Sequence, residues 1–175
     1  MNNSYGFNTE YCSMPANNNI KITYVPSSDI VYYTYNLYKN SNLVRTVTLD
    51  SGRLTNIFLD STGKYYVSIE AHLQDGSVKT ETSCEYIVDK EKPILTIGKE
   101  ILTLIKGNTI DVMGNVSARD NIDGDITSFV VTNIDELDLK SLGKKKLTYT
   151  VSDRAGNTTV KSTYINVTED PVMLF

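Results

Sequence analysis

The chain has 175 residues, of which 40% are hydrophobic and 22% are charged, and its formal net charge is −4. This length fits one large domain or two small ones, and the mildly acidic balance argues against nucleic-acid binding, which needs clustered Lys and Arg. No apolar run reaches the roughly 18 residues of a transmembrane helix, so we predict no membrane span.

The composition favours strands over helices. Thr, Val, Ile and Tyr are prominent, with 12 Tyr and no Trp, and these residues fit pleated, half-buried surfaces. β-type runs separated by turn residues recur about every 8–12 residues, which is typical of a sandwich or barrel. In the first half these runs cover residues 5–11, 20–24, 31–37, 43–49 and 54–59. No amphipathic helix is evident, so we predict an all-β fold.

A β-hairpin is predicted at residues 65–88. Apolar and polar side chains alternate along residues 65–73, which indicates a half-buried antiparallel strand. Asp75-Gly76 then provides a hairpin turn, because glycine readily accepts a positive φ. The return strand begins at Val78.

The two cysteines are Cys12 and Cys84. Cys84 lies on the apolar phase of its predicted strand, whereas Cys12 lies on the opposite phase from Phe7 and Tyr11. This pattern favours two free thiols, one buried and one half-exposed. A disulfide is the alternative, since geometry rather than cysteine count decides the pairing.

Residues 89–93, with the sequence DKEKP, are polar and end in proline, so they are the predicted domain boundary. We predict two tandem sandwiches, residues 1–90 and 91–175, with a semi-rigid joint between them. Strands are predicted in the second half at residues 94–97, 101–105, 126–134, 147–151 and 160–167. Both halves contain a Gly-Lys strand entry, at Gly63 and Gly143, followed by an alternating strand, which indicates a tandem repeat.

Three separated blocks in the second half carry a resemblance to a known family. Residues 92–94 read KPI, residues 120–127 read DNIDGDIT, and residues 147–157 read LTYTVSDRAGN. Over residues 92–169 the chain resembles the bacterial immunoglobulin-like repeats of surface and secreted proteins, of the type also found in a pesticidal crystal protein. The first half is similar in outline to fibronectin type III and related immunoglobulin-like sandwiches, through YNLYK at residues 35–39 and the strand and turn at residues 63–76.

The resemblance implies an extracellular bacterial origin and a non-catalytic role as a structural spacer or protein-interaction module. The chain starts and ends without a signal peptide or sorting signal, so we expect it to be a piece of a longer exported protein. Its expected partners are other domains of that protein, with a cell-surface protein or glycan as a further possibility, and the chain itself is expected to be a monomer. The sole histidine, His72, has a polar strand phase and no nucleophile partner, so we predict no enzyme.

One acidic stretch has the density of a site. Asp120, Asp123 and Asp125 lie within six residues, and Asp153 lies on a later loop that also contains turn residues. Asp side chains commonly accept hydrogen bonds from nearby backbone amides, and this turn chemistry is the simpler interpretation. The alternative is a calcium site of these four aspartates, because Ca²⁺ takes several oxygen ligands. No other cofactor is expected.

Three tyrosines have the strand phase opposite to their apolar neighbours. Tyr32, Tyr38 and Tyr66 would share the outer face of one sheet. They are interpreted as ordinary cross-strand pairs that stabilise the sheet. The alternative is an exposed aromatic platform for a carbohydrate or an adhesive contact.

Overall fold

The computed structural model describes residues 5–50, 52–98 and 100–170. The chain divides into two compact units, Met1–Lys90 and Glu91–Phe175, called unit 1 and unit 2 below. Regular structure in the described ranges consists of strands and two short 3₁₀ turns, without an α-helix. The all-β prediction is therefore confirmed, and no helix within these ranges is long and apolar enough to cross a membrane.

The described residues of unit 1 form nine strands in two sheets. The strands are β1 (Gly6–Phe7), β2 (Pro15–Ala16), β3 (Ile20–Val25), β4 (Ile30–Lys39), β5 (Asn42–Asp50), β6 (Thr55–Leu59), β7 (Gly63–Leu73), β8 (Val78–Thr82) and β9 (Tyr86–Val88). One sheet has the order β1-β3-β6, and the other has the order β2-β9-β7-β4-β5 with β8 also paired to β7. All pairs are antiparallel except β2 with β9, which is parallel.

The core of unit 1 lies between these two sheets. Alternate side chains of β3 and β6 are buried against alternate side chains of β4 and β7, with β9 closing the same cluster. Ile22 and Val67, one from each sheet, have no exposed surface. Because a strand's side chains alternate between faces, one buried face per sheet produces a sandwich. Unit 1 is therefore a β-sandwich of two sheets.

Tyrosines fill much of this core, and their hydroxyl groups reach acceptors at its edge. The Tyr33 hydroxyl donates to the Arg53 carbonyl at 2.5 Å, and the Tyr86 hydroxyl donates to the Asn8 carbonyl at 2.5 Å. Burial raises the pKa of Tyr33 to about 12 and also raises the pKa of Tyr86. These phenols therefore stay neutral and serve as hydrogen-bond donors at physiological pH.

The predicted hairpin turn is confirmed, but the return strand β8 ends at Thr82 instead of continuing to residue 88, and β9 is a separate strand. His72 of β7 pairs with Val78 of β8, and Gly76 has a φ of +84°. The Ser77 backbone N–H donates to the Asp75 carboxylate at 2.9 Å. Together, glycine's conformational freedom and this local hydrogen bond close the turn.

Cys12 and Cys84 form a disulfide, with their Cα atoms 5.5 Å apart. The prediction of two free thiols is therefore wrong. It assumed a regular strand over residues 5–11, whereas only Gly6–Phe7 is strand and Cys12 lies in a turn. That turn places Cys12 opposite Tyr86 in an isolated antiparallel bridge, two residues from Cys84.

Within the described part of unit 2, seven strands form two sheets. They are β10 (Ile94–Ile97), β11 (Ile101–Ile105), β12 (Val116–Asp120), β13 (Gly124–Asp125), β14 (Val131–Thr132), β15 (Gly143–Ser152) and β16 (Thr158–Thr168). The sheets have the orders β10-β12-β13 and β11-β16-β15-β14. β11 runs parallel to β16, and the other pairs are antiparallel. Leu95 and Ala118 of the first sheet share one buried cluster with Leu147 and Ile165 of the second.

The predicted strand at residues 126–134 is wrong. This segment contains a 3₁₀ turn at Thr127–Phe129, the short strand β14 and the start of a second 3₁₀ turn at Ile134–Glu136. The Asp125 carboxylate accepts a hydrogen bond from the Thr127 backbone N–H at 2.9 Å. This side chain competes with a sheet ladder for the backbone group, and so favours the turn.

Candidate functional sites

The outer face of the larger sheet in unit 1 is the first candidate site. It is called the tyrosine face and consists of Tyr32, Thr34, Asn36 and Tyr38 of β4 and Tyr66, Ser68, Glu70 and His72 of β7. The alternating residues Tyr33, Tyr35 and Leu37 point into the core. The face therefore follows from strand alternation once one side of the sheet is buried.

Two stacked aromatic pairs lie on this face. The rings of Tyr38 and Tyr66 are parallel within 7°, with centroids 4.5 Å apart. The rings of Tyr32 and His72 are parallel within 14°, with centroids 4.1 Å apart. Tyr32 and Tyr38 are six residues apart on β4, which corresponds to roughly 20 Å along a strand. The structure brings Tyr38 and Tyr66 together and places Tyr32 at the other end of the face.

Hydrogen-bonding side chains occupy the surface between the aromatic pairs. The Thr34 hydroxyl lies 2.8 Å from the Thr48 hydroxyl of β5, and the Thr46 hydroxyl donates to the Asn36 side-chain oxygen at 2.7 Å. The result is a polar strip with an aromatic pair at each end. His72 also belongs to this site, although the prediction from the sequence did not include it. Its position on the polar phase of β7 is the signal that could have identified it.

His72 makes two side-chain contacts on this face. Its Nε2 lies 3.2 Å from Glu70 Oε1, and the glutamate side chain is 57% exposed. The imidazole also stacks on Tyr32. Both contacts hold the ring on an open sheet surface.

The acidic loops of unit 2 form the second candidate site. Asp120 ends β12, and Asp153 follows β15. Both residues are buried, with 5% and 7% of their surfaces exposed. A carboxylate oxygen of Asp120 lies within 4.8 Å of one of Asp153.

Each of these two carboxylates is oriented by its own loop. Asp120 Oδ1 accepts hydrogen bonds from the backbone N–H groups of Ile122 at 2.8 Å and Asp123 at 2.9 Å. Asp153 Oδ1 accepts one from the Asn157 backbone N–H at 2.8 Å, and Asp153 Oδ2 accepts one from the Asn157 side chain at 2.8 Å. These are local Asx-type contacts, which fix the direction of a carboxylate.

The other two predicted aspartates have different partners. Asp123 Oδ1 accepts from Arg154 Nε at 2.6 Å, and Asp123 Oδ2 accepts from the Arg154 backbone N–H at 2.7 Å. Asp125 is exposed, and its hydrogen bond with the Thr127 backbone N–H lowers the pKa of its carboxyl group. Of the four aspartates named from the sequence, the structure brings the carboxylates of Asp120 and Asp153 together.

The chain matches no protein-family model and no curated protein. Among solved structures, it is similar to the CBM51-2 and INT domains of Clostridium perfringens ZmpB, a structure in complex with GlcNAc, with 30% identity over 45% of this chain and a TM-score of 0.38. It is also similar to the fibronectin(III)-like modules of Clostridium thermocellum CbhA, with 16% identity, 97% of this chain and 96% of that chain covered, and a TM-score of 0.39.

A third similar structure is part of a 1.5-MDa bacterial ice-binding adhesin, with 14% identity, 90% of this chain and 61% of that chain covered, and a TM-score of 0.40. The chain spans only 17% and 18% of the two ZmpB structures it matches. Because these TM-scores lie below 0.5, the function is inferred from the chain's own geometry.

Proposed function

We propose that this chain is a non-catalytic structural spacer within a larger bacterial cell-surface or secreted protein, built from two tandem immunoglobulin-like domains, 1–90 and 91–175. The observation that carries this proposal is the Cys12–Cys84 disulfide, which joins residues 72 positions apart in a unit of 90 residues. Disulfides persist in oxidising compartments, so this bond also supports an extracellular location.

The disulfide determines how unit 1 responds to pulling. Tension that enters at the N-terminus reaches Cys12, crosses the sulfur–sulfur bond to Cys84, and continues toward unit 2. The enclosed residues are bypassed and cannot extend, even when the sandwich unfolds. At about 3.4 Å per extended residue, the 72-residue separation withholds about 25 nm of chain. A spacer with this bond therefore lengthens little under tension, even after unit 1 unfolds.

Single-molecule force spectroscopy on the full chain, pulled from its two ends, tests the proposal. Without reductant we expect unit 1 to lengthen by at most about 6 nm when it unfolds, and unit 2, which contains no cysteine, by at most about 29 nm, before the end-to-end distance of each folded unit is subtracted. With reductant, the unit 1 step should grow to about 30 nm. The unit 2 step is the internal control, since reduction should leave it unchanged. A long unit 1 step without reductant would contradict the proposal.

A second candidate function is glycan binding on the tyrosine face. The observation that favours it is the combination of two aromatic pairs with hydroxyl, amide and carboxylate groups between them. Sugars present both C–H faces, which contact aromatic rings, and hydroxyl groups, which exchange hydrogen bonds with such side chains. The strip is open and follows the strand direction, which suits an extended glycan chain.

Co-sedimentation with insoluble chitin, cellulose and peptidoglycan tests this second function. If the face binds one of these glycans, Tyr38→Ala should raise the Kd about tenfold, as expected for loss of a contact of roughly 1.4 kcal/mol. The matched control is Tyr164→Ala, because Tyr164 is 45% exposed and lies in unit 2. Equal binding by the two variants, or no binding by the unmodified chain, would exclude this function for these glycans.

A further inference from the structure

We propose that Asp120 and Asp153 hold a divalent cation, Ca²⁺ in the first instance, in unit 2. This inference is independent of the spacer and glycan functions. It rests on two observations: two buried carboxylates face each other within 4.8 Å, and Asp120 Oδ2 is buried without a hydrogen-bond partner in the part of the chain that the structure describes.

A buried carboxylate oxygen without a donor is costly. An unsatisfied buried polar atom typically destabilises a fold, and a charged one does so more strongly. Asp120 is 5% exposed, so bulk water offers its carboxylate little compensation. The two N–H groups at Oδ1 fix the carboxylate's orientation, and Oδ2 stays directed away from them. A bound cation would satisfy this oxygen.

The distance between the two carboxylates fits such an ion. Ca²⁺ takes oxygen ligands at about 2.3–2.6 Å, so two oxygens on opposite sides of one ion lie up to roughly 5 Å apart. Without a cation, the two carboxylates repel each other in a medium that screens poorly. The Asn157 contacts of Asp153 leave lone pairs on its oxygens that a cation can use.

A cleft that opens to solvent is lined in part by Asp120. It has a volume of about 210 Å³ and is lined by Asp120, Glu91, Lys92, Ile94, Arg119 and Asn121. Water in this cleft can complete the ligand set, since Ca²⁺ takes six to eight oxygens. Lys92 and Arg119 weaken the local negative potential, so we expect a Kd of about 0.1–1 mM, as for other extracellular calcium modules.

Asp123 and Asp125 are not ligands of this site. Both oxygens of Asp123 accept hydrogen bonds from Arg154, a cation that already neutralises this carboxylate. Asp125 is exposed and bonded to Thr127. The site is therefore narrower than the group of four aspartates predicted from the sequence.

The test compares full-length Asp120→Asn and Asp125→Asn chains with the unmodified chain, in EDTA and in 10 mM Ca²⁺. Asn at position 120 keeps the Oδ1 acceptor of the turn and replaces the unpartnered oxygen with a neutral amide. In EDTA, Asp120→Asn should melt at or above the temperature of the unmodified chain, because the repulsion is removed. In Ca²⁺ the order should reverse, because the unmodified chain gains roughly 5 °C or more in the Tm of unit 2.

The control variant Asp125→Asn removes the same charge five residues closer to the 3₁₀ turn, and it should keep the full response to Ca²⁺. Isothermal titration calorimetry with CaCl₂ on the unmodified chain provides a readout that does not depend on any variant folding, with one site per chain expected. Absence of binding heat and of a Tm shift would overturn the proposal. So would calcium binding that persists in Asp120→Asn.

Discussion

Replacing both cysteines, as Cys12→Ser/Cys84→Ser, is expected to lower the free energy of unfolding of unit 1 by about 4 kcal/mol. The bond joins residues 72 positions apart, and closing a loop of this length restricts the unfolded chain by about that free energy in the chain-entropy account. For a unit of 90 residues the loss corresponds to a fall in Tm of roughly 15–30 °C. Differential scanning calorimetry of the full chain measures it.

Reductant provides the control for this prediction. Adding dithiothreitol to the unmodified chain should lower the first unit's transition to the temperature seen in the double-serine variant, and should leave that variant unchanged. The transition of unit 2 should stay fixed in all four samples, since both cysteines lie in unit 1. A decrease of less than about 1 kcal/mol in the free energy of unfolding of unit 1 would contradict the prediction, because it would show that the disulfide contributes little to stability.

The substitution Leu147→Ala is expected to lower the free energy of unfolding of unit 2 by about 2–5 kcal/mol. Leu147 has no exposed surface and lies in the buried cluster of that unit. Truncation removes buried methyl groups and leaves a cavity that the surrounding strands fill only partly. Urea unfolding, followed by tyrosine fluorescence and by circular dichroism, measures the change.

Leu142→Ala is the matched control, because it is the same substitution at a residue that is 48% exposed. It should change the stability of unit 2 by no more than about 0.5 kcal/mol. The pair of variants also tests the two-domain organisation. If residues 1–90 and 91–175 fold independently, Leu147→Ala leaves the transition of unit 1 in place. A shift of both transitions together would contradict two independent domains.

The contacts between aromatic side chains on the tyrosine face could be predicted only in part from the sequence. Strand alternation alone assigns Tyr32, Tyr38 and Tyr66 to the phase opposite the core. Which of them meet depends on the register between β4 and β7, where Tyr38 pairs with Tyr66 and Tyr32 pairs with His72. Along the chain, β5 and β6 lie between β4 and β7, so no single hairpin turn sets the register of this pair. The aromatic pairs are therefore a property of the folded sheet.

The carboxylates of the acidic loops likewise have partners that their spacing in the sequence does not predict. Spacing in the sequence groups Asp120, Asp123 and Asp125, because they lie close together along the chain. In the folded unit, Asp123 bonds to Arg154 and Asp125 bonds to Thr127, while Asp120 approaches Asp153. Side chains of neighbouring residues point in different directions, so proximity in sequence does not imply a shared ligand site.

The sequence by itself determined the all-β class, the buried phase of β7 and the hairpin turn at Asp75-Gly76. These features depend on contacts between near neighbours, namely period-two alternation and the turn chemistry of Asp and Gly. Only the tertiary structure decided the Cys12–Cys84 bond and the approach of Asp120 to Asp153. Each of these depends on the packing of sheets and loops, which brings together groups that local patterns cannot relate.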